Sequence, residues 1–163
     1  MSGFFDHPGK FEPDWLAGVL GHPAGALRAI EFAPVGTGQV GDSFRLHLDW
    51  SEVAVKAPAT IIAKCPAKDP VSRETGGNMR LYEIETSWYR ALAKSCAVRC
   101  PGHFHADMGS TKQEFILLLE DMAPAVQPDQ MIGASPDAVA KILSEAAHLH
   151  KFRWQDPALA DIL

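Results

Sequence analysis

Residues 36–41 read Gly36-Thr37-Gly38-Gln39-Val40-Gly41 and lie between two stretches that favour β-strands. The first stretch runs from Leu27 to Val35. Over residues 42–50, apolar and polar side chains alternate, and the apolar members are Phe44, Leu46, Leu48 and Trp50. A period of two is typical of a half-buried strand. The glycine-rich segment is therefore predicted to be the tip of a strand–loop–strand hairpin.

The next apolar run, Ile61-Ile62-Ala63, ends in Lys64. Glycines let backbone N–H groups approach phosphate oxygens where a Cβ would clash, and a lysine one strand later supplies positive charge to the α- and β-phosphates. A Walker loop would carry its lysine at the end of the loop, and a Rossmann fingerprint would open a helix directly after the glycines. Neither pattern fits. The order matches the protein-kinase arrangement, so residues 36–41 and Lys64 are predicted to bind a nucleotide.

A helix is predicted after residue 78 from an apolar stripe at helical spacing. The stripe consists of Leu81, Ile84, Trp88 and Leu92. Glu85 falls on the apolar side of this helix, whereas Glu83 falls with the polar residues. A carboxylate on a packed face costs free energy unless it is paired, so we predict an ion pair between Glu85 and Lys64. The alternative is that Glu85 lies at the edge of the stripe and stays hydrated.

An apolar run, residues 115–119, ends in two acids, Glu120 and Asp121, before Met122. Buried strands that end in a short polar link are common, so one interpretation is a plain core strand. The other follows from the position of this strand after the glycine loop, the lysine strand and the Glu85 helix. In that order it is predicted to be a hinge strand, where the carbonyl of Glu120 and the N–H of Met122 hydrogen-bond to adenine.

Five segments together resemble the N-terminal half of the aminoglycoside-phosphotransferase-like kinases, particularly the choline-kinase-like and ecdysteroid-kinase-like branch. They read V-G-T-G-Q-V-G-D-S-F-R, I-I-A-K, Y-E-I-E-T-S-W-Y-R, F-I-L-L-L-E-D-M-A and A-A-H-L-H-K-F-R-W, and they fall within residues 27–155. The resemblance implies ATP-dependent phosphorylation of a hydroxyl on a small molecule. It implies Lys64 on the α- and β-phosphates, Glu85 orienting Lys64 as its catalytic partner, and Glu120 to Met122 as the adenine hinge.

The resemblance stops short of a catalytic loop. Kinases of this kind need an Asp base, an Asn five residues later, and a further Asp for Mg²⁺. Asn78 is the only asparagine, and Arg73 stands five residues before it. We therefore expect an α+β kinase-like N-terminal lobe over residues 1–122, followed over residues 123–163 by a linker and a first helix that lead toward a C-terminal lobe. The Mg²⁺ ligands are expected in that lobe, and this chain alone is expected to be inactive.

Secondary-structure signals outside the motifs complete the predicted organisation. Residues 66–78 contain Pro and Gly and are predicted to be a connection, and residues 102–106 and 113–119 are predicted to be strands, which gives an antiparallel sheet of about five strands. Ser135 and Pro136 form a helix-start signal before an apolar stripe. The stripe consists of Val139, Ile142, Leu143, Ala146 and Leu149. Part of this helix surface is expected to be uncovered and to favour self-association.

The length, hydrophobic content and net charge of the chain limit the classes of partner that it is predicted to bind. The chain has 163 residues, is 47% hydrophobic and carries a net charge of −5, which favours one compact domain and argues against nucleic-acid binding. No run approaches the length of a membrane span, and Asp6, Glu12 and Asp14 lie where a signal peptide would be apolar, so a cytoplasmic location is predicted. The predicted partners are ATP, with Mg²⁺, and an unidentified small-molecule hydroxyl acceptor.

Two alternatives remain beside the kinase hypothesis. One is a non-catalytic nucleotide-binding pseudokinase fragment, and the other is an α+β interaction domain in which Lys64 and Glu85 are structural. Cys96, Cys100, His103 and His105 also lie close together in the sequence. Their spacing fits no common zinc pattern, so no metal ligand is predicted.

Overall fold

The computed structural model describes residues 4–36, 38–126, 128–129 and 131–162. Within these ranges, one antiparallel sheet has the strand order β1-β2-β3-β5-β4. Its strands are β1 (Leu27–Pro34), β2 (Gly41–Trp50), β3 (Thr60–Pro66), β4 (His103–Met108) and β5 (Phe115–Glu120). The helices are α1 (Pro13–Val19), α2 (Pro70–Asn78), α3 (Leu81–Ser87) and α4 (Pro136–Phe152). The predicted α+β fold with a five-stranded antiparallel sheet is confirmed.

The sheet separates two hydrophobic cores. On one face α1 packs over the alternate residues of β2 and β3, among them Leu46, Ile61 and Ala63. On the other face α3 contributes Tyr82 to a core with Phe115 and Leu117 of β5. Residues 115–119 are all buried because β5 is an inner strand with both faces covered.

This layering determines where the lysine of β3 points. Ile61, Ala63 and Cys65 belong to the core on the α1 side. Because successive side chains of a strand point to opposite faces, Lys64 lies on the α3 side of the sheet. The alternation of β2, which puts Phe44, Leu46 and Leu48 into the α1-side core, was predicted from the sequence and is confirmed.

The segment predicted as a connection, residues 66–78, instead contains helix α2. Asp69 caps this helix by accepting a hydrogen bond from Ser72 N–H at 2.8 Å, and Pro70 occupies its first turn. The glycines near its end were interpreted as loop signals. In the structure they lie within the helix, at positions where a neighbouring element packs too closely for a side chain. A Cβ added at Gly76 would lie 2.5 Å from Cζ of Tyr82.

The apolar stripe of α3 was also predicted with the wrong centre. Ile84 is 44% exposed, and the buried positions are Tyr82, Thr86, Tyr89 and Leu92. The helix passes at its C-terminal end into a π-helical segment, Trp88–Leu92, followed by a 3₁₀ turn, Ala93–Ser95. Tyr82, Thr86 and Tyr89 themselves follow helical spacing, so the buried face is a neighbouring stripe of the same helical segment, with the two tyrosine rings in the core beside β5.

Helix α4 begins as predicted. The hydroxyl of Ser135 accepts a hydrogen bond from Ala138 N–H at 3.2 Å, and Pro136 follows the cap. None of the α4 residues is buried. Its apolar side chains Ile142 and Leu143 are 61% and 64% exposed. Within the described ranges, no helix has the length and apolar character needed to cross a membrane.

Candidate functional site

The glycine-rich segment is the tight connection between β1 and β2, as predicted. Gly36 adopts a φ of 77°, a left-handed conformation that disfavours other residues. At Gly38, a Cβ would lie 2.2 Å from the carbonyl oxygen of Gly41, so only glycine fits the closure of the loop. Gln39 and Val40 complete the described part of the loop, and Thr37, also predicted to bind the nucleotide, lies outside the described residues.

The predicted ion pair between Lys64 and Glu85 is present. Lys64 Nζ on β3 contacts Glu85 Oε1 on α3, and the two side chains are 30% and 33% exposed. Glu83 turns away and instead binds Arg80 through two hydrogen bonds, at 2.8 and 3.0 Å. The choice of Glu85 over Glu83 as the partner of Lys64 is therefore confirmed.

The ion pair lies in a cavity under the glycine loop. The cavity has a volume of about 170 Å³. It combines backbone of the loop with one ammonium group, one carboxylate and two buried aromatic rings. Its lining includes Gly38, Gln39, Val40, Gly41, Lys64, Tyr82, Glu85 and Phe115. An ammonium group beside amide-rich backbone is an arrangement suited to anions.

A second cavity, of about 240 Å³, lies beside the end of β5. Its walls are partly apolar, and it includes both predicted hinge residues, Glu120 and Met122. The lining also contains Val35, Gly36, Ser43, Arg45, Ile62, Leu119 and Asp121. Ser43 lines both cavities, so the space under the glycine loop is adjacent to the space at the end of β5.

The backbone of Met122, a residue that lines this cavity, forms one hydrogen bond with the described residues. Its carbonyl accepts a hydrogen bond from Ala125 N–H at 2.8 Å. None of the described residues accepts a hydrogen bond from Met122 N–H. A ligand with an acceptor at its edge would satisfy this group.

The side chain of Asp121 is clamped from β2. Arg45 donates two hydrogen bonds to its carboxylate, at 2.7 and 3.1 Å, and Ala123 N–H donates a third at 3.0 Å. Burial alone would raise the pKa of Asp121, but these hydrogen bonds hold it below its usual value. The side chain of Asp121 is 5% exposed. The residue between Glu120 and Met122 is thus fixed by a bidentate ion pair.

The carboxylate of Glu120 is bound by residues that directly precede β4. It accepts hydrogen bonds from Gly102 N–H at 2.9 Å and from Arg99 at 2.8 and 3.0 Å. The hydrogen bond from the backbone, followed by that from Arg99, lowers the pKa of Glu120. The two acids at the end of β5 therefore hold the backbone of residues 120–122 in place. Sequence reasoning missed Arg45 and Arg99, since neither pairing is visible without the strand register.

Arg45→Met should lower the free energy of unfolding at pH 7 by about 1–3 kcal/mol, the cost of leaving the buried carboxylate of Asp121 without its main partner. A group with a lowered pKa stabilises the fold above its unfolded pKa, about 3.9 for Asp, and loses this effect as the pH falls through the folded value. The difference between variant and wild type should therefore shrink below about pH 4.

Urea denaturation at pH 7 and pH 3 measures this difference. Lys10→Met is the matched control, because Lys10 forms an exposed ion pair with Asp6 at 2.6 Å that contributes little to stability. Equal losses for both variants, or a loss at Arg45 that does not depend on pH, would contradict the clamp.

The cysteines and histidines near β4 were considered as metal ligands in the sequence. Among the described residues, no group of three or more His, Cys, Asp or Glu side chains is placed to hold a metal ion. Cys65, next to Lys64, points into the opposite core, and its burial raises the pKa of the thiol. It therefore stays protonated and offers no nucleophile to the cavity under the loop.

Comparison with protein-family models, with curated proteins and with solved structures finds no match to this chain.

Proposed function

We propose that this chain is the ATP-binding lobe of a phosphotransferase that transfers the γ-phosphate of ATP to a hydroxyl of a small molecule. The observation that carries the proposal is the ion pair of Lys64 and Glu85 inside a cavity roofed by the glycine loop. A protein-kinase-like N-terminal lobe is the architecture that this proposal assigns to the α+β fold.

The phosphates of ATP would occupy the cavity under the loop. Lys64 neutralises charge on the α- and β-phosphates, while Glu85 keeps the ammonium group extended across the gap between β3 and α3. The absence of a side chain at Gly38 lets the loop close on the carbonyl of Gly41, and glycine backbone would let amide groups approach phosphate oxygens without a Cβ between them. These contacts orient the nucleotide and balance its charge, which is most of what phosphoryl transfer requires of a protein.

The adenine base would occupy the adjacent cavity at the end of β5. Its exocyclic amine would donate to the carbonyl of Glu120, and its ring nitrogen would accept from Met122 N–H. The available donor on Met122 and the partly apolar walls support this placement. The hydrogen bonds from Arg45 and Arg99 support the proposal, because they restrain the backbone at the end of β5 before any ligand binds.

The same chain is proposed to be inactive by itself. No Asp followed five residues later by Asn occurs in residues 1–163, and the described residues hold no acidic cluster placed for a metal. We therefore propose no Mg²⁺ ligand and no catalytic base from this chain. A non-catalytic nucleotide-binding protein would use the same two cavities, and a kinase would in addition need a catalytic loop with an Asp base.

Nucleotide binding is the direct test. Titration of the ¹⁵N-labelled chain with Mg-ATP should move the amide resonances near Gly38 and Met122, with a dissociation constant of about 1 mM, because no Mg²⁺ ligand is proposed from this chain. Triphosphate alone should move the resonances near Gly38, and adenosine alone those near Met122.

The pattern of these shifts separates the hypotheses. An α+β interaction domain, in which Lys64 and Glu85 are structural, predicts that millimolar Mg-ATP leaves both groups of resonances in place. Shifts confined to surface residues away from both cavities would likewise end the proposal.

A further inference from the structure

Tyr82 lies on the same face of α3 as Glu85, one turn earlier in the helix. It is 2% exposed and lines the cavity that contains Lys64. The ion pair and the proposed adenine contacts do not use this side chain. The hydroxyl is the polar group of this side chain, and it forms a hydrogen bond with the glycine loop.

The hydroxyl of Tyr82 donates a hydrogen bond to the carbonyl of Val40, within the loop. It also accepts a longer one, 3.5 Å, from Ala67 N–H just after β3. One phenol group therefore joins α3 to the loop and to the segment that follows the lysine strand.

Packing holds the ring in this position. The ring stacks on Phe115 of β5, with 4.3 Å between the centroids and 17° between the planes. On its other side it meets α2, where a Cβ added at Gly76 would lie 2.6 Å from the hydroxyl oxygen. The ring is thus enclosed between β5 and α2, which leaves the hydroxyl little choice of partner.

We infer that Tyr82 is a positioning residue that fixes the glycine loop over the cavity through the carbonyl of Val40. The effect on the loop follows from the contacts of the chain alone; the effect on nucleotide affinity rests on the proposed function. Because the peptide group is planar, fixing the Val40 carbonyl also fixes the direction of Gly41 N–H. The bond also occupies a carbonyl oxygen that would otherwise repel an anion in the cavity.

Helix α3 therefore makes two contacts with the proposed phosphate site. Glu85 holds Lys64, and Tyr82 holds the loop at Val40. A displacement of α3 along or away from the sheet would withdraw both contacts together. Burial raises the pKa of the Tyr82 phenol above its usual value, so the hydroxyl remains a donor at neutral pH.

Tyr82→Phe removes the hydroxyl and keeps the ring. In the nucleotide-free chain, amide hydrogen exchange at residues 38–41 should accelerate roughly three- to tenfold, the change expected for the loss of one net hydrogen bond. The dissociation constant for Mg-ATP should rise by a similar factor. Tyr89→Phe is the matched control, since Tyr89 lies on the following turns of the same segment and contacts His103 instead of the loop.

Gly76→Ala supplies a second route to the same result, because the added methyl group would displace the ring from its place on α2. Its loop amides should also exchange faster. If exchange at residues 38–41 is unchanged in Tyr82→Phe, or is changed equally in Tyr89→Phe, the inference is wrong. If loop exchange accelerates but the wild-type chain binds no Mg-ATP, the loop contact stands and the proposed nucleotide function fails.

Discussion

Lys64→Met should weaken Mg-ATP binding by about 10- to 100-fold, which corresponds to the 1.5–3 kcal/mol of a hydrogen bond to a charged group. The ammonium group is the only cationic side chain that lines the described cavity under the glycine loop. Its loss removes the main compensation for phosphate charge. Titration followed at the Met122 amide measures the change, because the proposed contact of the base does not involve Lys64.

Glu85→Gln should weaken binding nearly as much as Lys64→Met. The amide keeps the shape of the side chain but loses the charge that orients Lys64 Nζ. Glu83→Gln is the control, since Glu83 binds Arg80 at the exposed surface, and it should leave affinity unchanged. A large effect at Glu83, or none at Glu85, would contradict the assignment of the ion pair to the nucleotide site.

The expected losses of Mg-ATP affinity in Lys64→Met and Glu85→Gln should not arise from unfolding of the variants. Each side chain of the pair is about one-third exposed, at 30% and 33%, and a partly solvated ion pair contributes about 0–1 kcal/mol to stability. The variants should therefore fold with nearly the wild-type midpoint of urea denaturation. Affinity that falls while stability holds distinguishes a binding pair from a structural one.

Local patterns were sufficient to predict the sheet and the ion pair. The alternation of Phe44, Leu46 and Leu48 predicted β2, and the placement of Glu85 on the predicted apolar side of its helix led to Lys64 as its cation. Both inferences start from periodicity, and the second adds that a carboxylate on a packed face needs a cation. Periodicity is visible within a single stretch of sequence, which is why it can be recognised before the fold is known.

Features that depend on close packing could not be predicted in the same way. In the sequence Gly76 indicates a loop, and α2 was therefore missed. In the structure Gly76 is a helix residue, and it is glycine because the ring of Tyr82 packs directly against it. The buried face of α3 carries Tyr82 in place of Ile84, because the tyrosine ring stacks on Phe115 of β5, a contact that helical spacing alone does not show. Arg45 and Asp121 are far apart in the chain, so their ion pair becomes apparent only from the register of β2, β3 and β5.

The exposed apolar face of α4 leads to a prediction about self-association of the chain. Val139, Ile142, Leu143 and Leu149 form an apolar stripe on a helix that buries none of its residues. Apolar patches of this kind on a folded chain mark surfaces that pack against another body. In the proposed phosphotransferase, that body is a catalytic lobe. In a solution of residues 1–163 alone, the stripe is expected to pack against a second copy.

Sedimentation velocity of the chain should therefore show association that increases with protein concentration, and the double variant Ile142→Ser, Leu143→Ser should abolish it. Both side chains are more than half exposed, at 61% and 64%, so their replacement removes little burial from the folded monomer and should leave its urea midpoint nearly unchanged. The control is Val53→Ser, which alters an apolar side chain, 66% exposed, outside α4. A chain that stays monomeric at every concentration, or one whose association survives the double variant, would mean that the stripe of α4 is not a contact surface.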